Sequence, residues 1–124
     1  MTKEDIKKIY QEFRVPQNII NHMEAVANFC EFLSDKLIDK GYKINKEEII
    51  NAALLHDTLR VCDIRDYYPE NFPEGSNPEN VKIWNQLREQ YQEIGHEKAM
   101  AQILRARGEK NLANLIEKHG FKEI

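Results

Sequence analysis

The sequence predicts an all-α fold, a single domain of about six helices over residues 1–124. Apolar residues recur at intervals of three and four through almost the whole chain, which is the period of an amphipathic helix. Glycines and prolines stand between these segments, where they commonly end or begin helices. A length of 124 residues suits one domain rather than two, and 41% hydrophobic residues are enough for an ordinary core.

The first part of the chain predicts three helices. Residues 1–14 form an N-terminal helix that Thr2 caps. A long helix follows over Pro16–Gly41, because proline is accepted in a first turn and glycine often ends a helix. Asn45 caps the third helix, and Glu48 completes a capping-box pattern three residues later. The stripe that the long helix is expected to bury comprises Ile19, Met23, Val26, Cys30, Leu33 and Leu37.

A loop over residues 66–78 separates the histidine-bearing helices of residues 15–65 from the C-terminal helices of residues 79–124. The loop holds three of the four prolines, a glycine and two adjacent tyrosines. Its length and composition predict either a functional lid or a mobile connector. After it, three helices are predicted, the second ended by Gly108 and the third by Gly120.

The sequence argues against nucleic acids and membranes as partners. A net charge of −3 provides no basic surface of the kind that binds nucleic-acid backbones. No apolar run approaches the roughly 18 residues of a membrane span, and the N-terminus lacks the apolar segment of a signal peptide. We therefore expect a cytoplasmic protein, in which Cys30 and Cys62 are buried, reduced thiols.

Polar groups interrupt the apolar helical stripes at five places: His22, His56, Asp57, His96 and His119. A single histidine in such a stripe is more often a buried structural residue than a ligand. Burying this many polar groups costs several kcal/mol unless they are paired or bind a metal. Imidazoles and a carboxylate together suit a divalent transition metal, namely Mn, Fe, Co, Ni or Zn.

Three of these residues, His22, His56 and Asp57, are expected to converge. Adjacent residues diverge by about 100° on a helix, so His56 and Asp57 reach one ion only near the helix surface. His22 must come from a second, packed helix, as in metal sites of helical bundles. Their nearest nitrogen and oxygen atoms should lie within about 5 Å of each other, since ligand bonds are near 2.0–2.2 Å.

The pattern of His22 followed 34 residues later by His56-Asp57 resembles the HD superfamily of metal-dependent phosphohydrolases. "VPQNIINHMEAVANFCEFL" is similar to that family's first metal-binding helix, and "NAALLHDTLR" is similar to its "AALLHDIGK" signature. "IGHEKAMAQILRARGEKNLANLIEKHG" is similar to its downstream segment, where further histidines often occur. The similarity covers residues 15–120. It implies an HD-type helical domain that hydrolyses a phosphate ester, most often a nucleotide or a related small molecule.

The resemblance also implies roles for individual residues. His22, His56 and Asp57 would bind the metal. His96 and His119 would hold a second metal, orient a phosphate or donate a proton to the leaving group, unless they are buried structural residues. In the loop, Tyr67, Tyr68 or Phe72 would offer a face for a base, although such aromatics more often pack a loop onto its domain.

Two departures from the family pattern matter. Thr58-Leu59-Arg60 replaces the usual Ile-Gly-Lys, so Arg60 keeps a positive charge three residues after Asp57. Its guanidinium would grip a phosphate with two hydrogen bonds, or else pair with Asp57 or Asp63 at the surface.

The second departure is that no aspartate follows Asp66, whereas the family completes its first site with one on a later helix. The chain is therefore expected to be a truncated piece that binds metal poorly or not at all, that is inactive if the metal is absent, and that can form a homodimer over the uncovered apolar surface. The competing interpretation is a non-catalytic regulatory or interaction module of a larger protein.

Overall fold

The computed structural model describes residues 1–64 and 68–118, and within them it contains six α-helices and no strand. The helices are α1 (Lys3–Glu12), α2 (Gln17–Asp39), α3 (Lys46–Leu55), α4 (Pro78–Tyr91), α5 (His96–Ala106) and α6 (Lys110–Glu117). Short 3-10 helices span Arg60–Cys62, Pro69–Asn71 and Pro73–Ser76. The predicted all-α class is thus confirmed, while the predicted helix end at Gly120 lies outside the described residues. No helix in the described part combines the length and apolar composition needed to span a membrane.

Capping residues set the helix boundaries where the sequence predicts them. The Thr2 hydroxyl accepts from the Asp5 N–H at 3.2 Å, and the Asp5 carboxylate accepts from the Thr2 N–H at 2.8 Å, which completes a capping box on α1. Asn45 Oδ1 accepts from the Glu48 N–H at 3.1 Å at the start of α3. α2 stops just before Gly41, whose φ of +94° a residue with a side chain rarely adopts.

Packing connects the helices in an order that brings distant segments of the chain together. α2 packs on α3, α3 packs on α6, and α6 packs on α5. The indole of Trp84 is fully buried and donates from Nε1 to the Arg14 carbonyl at 2.7 Å, which ties α4 to the connection between α1 and α2. The largest fully buried side chains are Trp84, Met23, Leu55, Leu59, Met100 and Leu104.

The face that α2 buries differs from the predicted stripe. The buried positions are Ile19, Met23, Ala27 and Ser34. Val26 and Cys30 are only half-buried, and Leu33 and Leu37 are 42% and 39% exposed. Small side chains at positions 27 and 34 lie on the covered face, whereas hydrophobicity alone favours the neighbouring stripe of larger residues. The sequence shows two adjacent apolar stripes, and the packing against α3 decides which one is buried.

The segment after residue 67 is docked on the helices over part of its length. The Phe72 ring is buried and packs against Trp84 at an interplanar angle of 64° and a centroid distance of 5.5 Å. Glu74 accepts from the first backbone N–H of α2 at 2.8 Å. Phe72 is therefore not a free face for a base, and its aromatic ring instead packs the segment onto the domain. Tyr68 is 54% exposed, and Tyr67 lies outside the described residues.

Candidate metal centre

His56 and Asp57 lie in the turn that follows α3, one step beyond the helix in which the sequence predicts them. Side chains of this turn form hydrogen bonds with carbonyl groups that have no backbone partner at the end of the helix. His56 Nδ1 lies 2.5 Å from the Ala53 carbonyl oxygen, and the Thr58 hydroxyl donates to the Leu55 carbonyl at 2.8 Å. These two bonds fix the direction of the His56 ring and the path of the chain away from α3.

α2 supplies the opposite side of the site. The fully buried Met23 accepts a weak hydrogen bond from the Asp57 backbone N–H, with a sulfur–nitrogen distance of 3.4 Å. This contact seats the turn on α2. The neighbouring residue, His22, then brings its ring to a centroid distance of 5.5 Å from the His56 ring.

The Asp57 carboxylate is the centre of the cluster. Its Oδ2 lies 3.1 Å from His22 Nε2 and 3.3 Å from His56 Nε2, and its Oδ1 lies 3.0 Å from His96 Nε2. His22, His56 and Asp57 offer ligand atoms that all lie within 4.8 Å of one another, so the structure brings these three predicted residues together. Two ligands on one ion with bonds of 2.0–2.2 Å stand at most about 4.4 Å apart, so only a small adjustment would be needed to bind a cation.

The tautomer of His56 follows from its contact with Ala53. A carbonyl oxygen can only accept, so His56 Nδ1 carries the proton in their hydrogen bond. In the neutral ring, Nε2 then presents a lone pair to Asp57 Oδ2, which is also an acceptor. Two acceptors at this distance repel each other unless a proton or a metal cation lies between them. Metal-binding histidines commonly carry such an outer hydrogen bond to a carbonyl group, so the donor set fits a metal.

The same contacts shift the pKa values of Asp57, His56 and His96. Burial alone raises the pKa of Asp57, but hydrogen bonds from His56 and His96 outweigh it and hold that pKa well below its usual range. Burial alone lowers the pKa of His56 and of His96, but hydrogen bonds to Asp57 outweigh it and raise both pKa values. In the metal-free protein the Asp57 carboxylate therefore favours protonated His56 and His96, and a metal would compete with those protons.

The cluster has a buried floor and one open side. The side chains of His96, His56 and Asp57 are 4%, 6% and 13% exposed, whereas that of His22 is 55% exposed. The sequence pattern predicts an inward His22, and the structure places it at the rim instead. Three protein ligands with an accessible side are typical of a catalytic rather than a structural zinc site.

Sequence reasoning missed Asp63. One of its carboxylate oxygens, Oδ2, accepts from the backbone N–H of His96 at 3.1 Å and faces His96 Nδ1 at 2.5 Å. With Glu97, these two residues form a second group whose ligand atoms lie within 4.8 Å of one another. A signal was present in the sequence, because Asp63 is an acid within an apolar run, as Asp57 is.

Two further predicted residues stand outside the cluster. The Arg60 side chain is exposed, and within the described ranges it forms no ion pair with Asp57 or Asp63, which bind histidines instead. The surface ion pair considered for Arg60 is therefore wrong. His119 lies outside the described residues.

The cluster geometry agrees with the comparison to known families. A sequence model of the HD domain matches residues 19–124, which include His22, the His56-Asp57 turn and α4 to α6. Neither the curated proteins nor the solved structures contain a significant match. Since the match covers most of the sequence, the chain belongs to the HD domain family, whose members are generally metal-dependent hydrolases.

Proposed function

We propose that this protein is a metal-dependent phosphohydrolase that acts on a nucleotide or another small phosphate ester. His22, His56 and Asp57 would hold one divalent transition metal, namely Mn, Ni, Co, Fe or Zn. The observation that carries the proposal is the convergence of His22, His56 and Asp57, whose ligand atoms all lie within 4.8 Å of one another, with the direction of the His56 ring set by Ala53. A cation between His56 Nε2 and Asp57 Oδ2, which lie 3.3 Å apart, would take the place of the proton that joins them in the metal-free protein.

The metal and each of its three proposed ligands would have a separate role. The metal, when bound, supplies Lewis acidity, which lowers the pKa of water and offsets charge on a phosphate oxygen. Asp57 contributes the negative charge of the site, and His56 provides a ligand whose direction is fixed by Ala53. His22 borders the open side, from which a substrate would enter.

His96 contacts Asp57 on the buried side of the cluster. Both of its ring nitrogens already face carboxylate oxygens, those of Asp57 and Asp63. It would have to break one of these contacts before it could donate a proton to a leaving group or bind a second metal. Holding Asp57 is therefore the role that the contacts favour.

Metal binding and phosphatase activity test the proposal together. The metal-free protein is titrated with Mn²⁺ or Ni²⁺, and hydrolysis of p-nitrophenyl phosphate and of nucleoside monophosphates is then measured. We expect saturation at one ion per chain, hydrolysis that requires the ion, and modest affinity because the three ligands include only one carboxylate. A His56→Ala variant purified in parallel controls for contaminating phosphatases. Failure to bind metal would contradict the proposal, and binding without hydrolysis of any ester would favour the regulatory-module alternative.

Arg60 provides a test of substrate binding. If its exposed guanidinium contacts the substrate phosphate, Arg60→Ala should raise the Michaelis constant about tenfold or more, since hydrogen bonds to charged groups contribute about 1.5–3 kcal/mol. The melting temperature should hardly change, because no ion pair is lost among the described residues.

A matched control for this test is Arg107→Ala. Arg107 forms two hydrogen bonds with Glu12, at 3.0 and 2.6 Å, and its removal should alter stability without altering the Michaelis constant. A loss of stability in Arg60→Ala with normal kinetics would mark Arg60 as a structural residue.

A further inference from the structure

We infer that Asp63 is a positioning residue, which holds His96 and through it orients the Asp57 carboxylate toward His22 and His56. The inference rests on the proposed metal site and adds a part to it. The sequence motif does not include Asp63, and no role in the chemistry was predicted for it. Its assignment comes from a continuous set of contacts that runs from Asp63 to His96 and on to Asp57.

The first step is the contact between Asp63 and His96. A single oxygen, Asp63 Oδ2, accepts from the backbone N–H of His96 and from its ring nitrogen Nδ1. Since His96 is the first residue of α5, the carboxylate also lies at the positive end of that helix. Gly95, with a φ of +89°, makes the turn that brings His96 to this position. His96 is 3% exposed, so neither its backbone nor its ring can easily turn toward water.

The second step is the contact between His96 and Asp57. His96 Nε2 lies 3.0 Å from Asp57 Oδ1, while His22 and His56 face the other oxygen, Oδ2. The two oxygens of Asp57 therefore have separate partners. Rotation of the carboxylate would break the hydrogen bond from His96, so this bond keeps Oδ2 directed at the proposed metal. Outer hydrogen bonds of this kind orient metal ligands and strengthen metal binding.

The same side chains allow one other arrangement, a second metal held by Asp63, His96 and Glu97. The distances favour hydrogen bonding instead. Asp63 Oδ2 is 2.5 Å from His96 Nδ1, and a metal there would have to separate these two atoms. Glu97 Oε2 is 3.5 Å from the same nitrogen, which is too long for a hydrogen bond. Glu97 thus places a negative charge near His96 without holding its ring.

This difference between Asp63 and Glu97 provides a matched pair of variants. In Asp63→Asn, the side-chain oxygen can still accept from the backbone N–H of His96, so α5 keeps its first turn, but the charge that holds the ring is lost. We expect Mn²⁺ affinity to fall about tenfold, at the low end of the 10–100-fold effect of outer-shell partners. Glu97→Gln removes a charge at a similar position and should change the affinity less than about twofold. Thermal unfolding of each variant verifies that it is folded.

Two further measurements distinguish positioning from other roles. Metal stoichiometry should be one ion per chain in the wild type and in both variants. In the metal-free protein, Asp63→Asn should shift the NMR signal of His96 Nδ1, because the substitution changes the group that this nitrogen contacts. This NMR measurement requires neither metal nor enzymatic activity.

The results that would overturn the inference are specific. Unchanged Mn²⁺ affinity in Asp63→Asn, or an equal loss in Glu97→Gln, would remove the positioning role. Two ions in the wild type and one in Asp63→Asn would instead show a second metal site. If the wild type binds no metal, the proposed function fails by itself, and an unshifted His96 signal in Asp63→Asn would then overturn the contact between Asp63 and His96.

Discussion

Replacing Asp57 with asparagine is expected to lower both metal affinity and phosphohydrolase turnover by more than about 100-fold, since even outer-shell partners of a metal contribute 10–100-fold. Asparagine keeps the shape of the side chain but removes the only negative charge among the three proposed ligands. An amide nitrogen facing His22 or His56 would also present a donor where the site needs a ligand atom. Mn²⁺ titration and steady-state hydrolysis of p-nitrophenyl phosphate measure the two effects.

Asp35→Asn is the matched control for this experiment. It makes the same chemical change on an exposed residue of α2, whose carboxylate lies 2.7 Å from Lys46 Nζ rather than near the histidines. Metal affinity and turnover should stay at wild-type values in this variant. Wild-type metal affinity in Asp57→Asn would show that the cation is not held by the His-Asp cluster.

The metal-free protein is expected to lose stability as the pH rises above about 6.5, the usual value for histidine. The pKa values of His56 and His96 are raised in the folded protein, because the carboxylate of Asp57 outweighs the effect of burial. A group of this kind stabilises the fold fully below its unfolded pKa, and the contribution is lost as the pH rises through the folded pKa. The lowered pKa of Asp57 has the opposite effect, because its contribution to stability is complete above the usual aspartate pKa of about 3.9 and is lost progressively as the pH falls below that value.

Bound metal should reverse this dependence of protein stability on pH above about 6.5. Binding displaces protons from the histidines, so each displaced proton makes the affinity rise by up to about tenfold per pH unit. Melting temperatures measured from pH 5.5 to 8.5, with excess Mn²⁺ and with a chelator, should therefore diverge as the pH increases. Parallel curves would show that the metal does not bind at these histidines, and Asp35→Asn should reproduce the wild-type divergence.

Local patterns in the sequence determined the helical class and several helix boundaries. A capping hydrogen bond joins residues within three positions of each other, as for Thr2 with Asp5 and Asn45 with Glu48, so it can be read from neighbouring letters. The periodic placement of apolar residues is equally local. The spacing of His22, His56 and Asp57 pointed to a metal cluster through its resemblance to a family, and the structure brings the three side chains together.

Only the tertiary structure decided which groups complete that cluster. Asp63 and His96 are 33 residues apart, and their contact depends on how the turn after α3 meets the start of α5. The sequence equally failed to show that α2 buries Ala27 rather than Leu33, because both apolar stripes satisfy the helical period. The physical reason is the same in both cases. Periodicity and capping depend on interactions within a few residues, whereas the partners of a buried face or a carboxylate are set by packing between segments far apart in the chain.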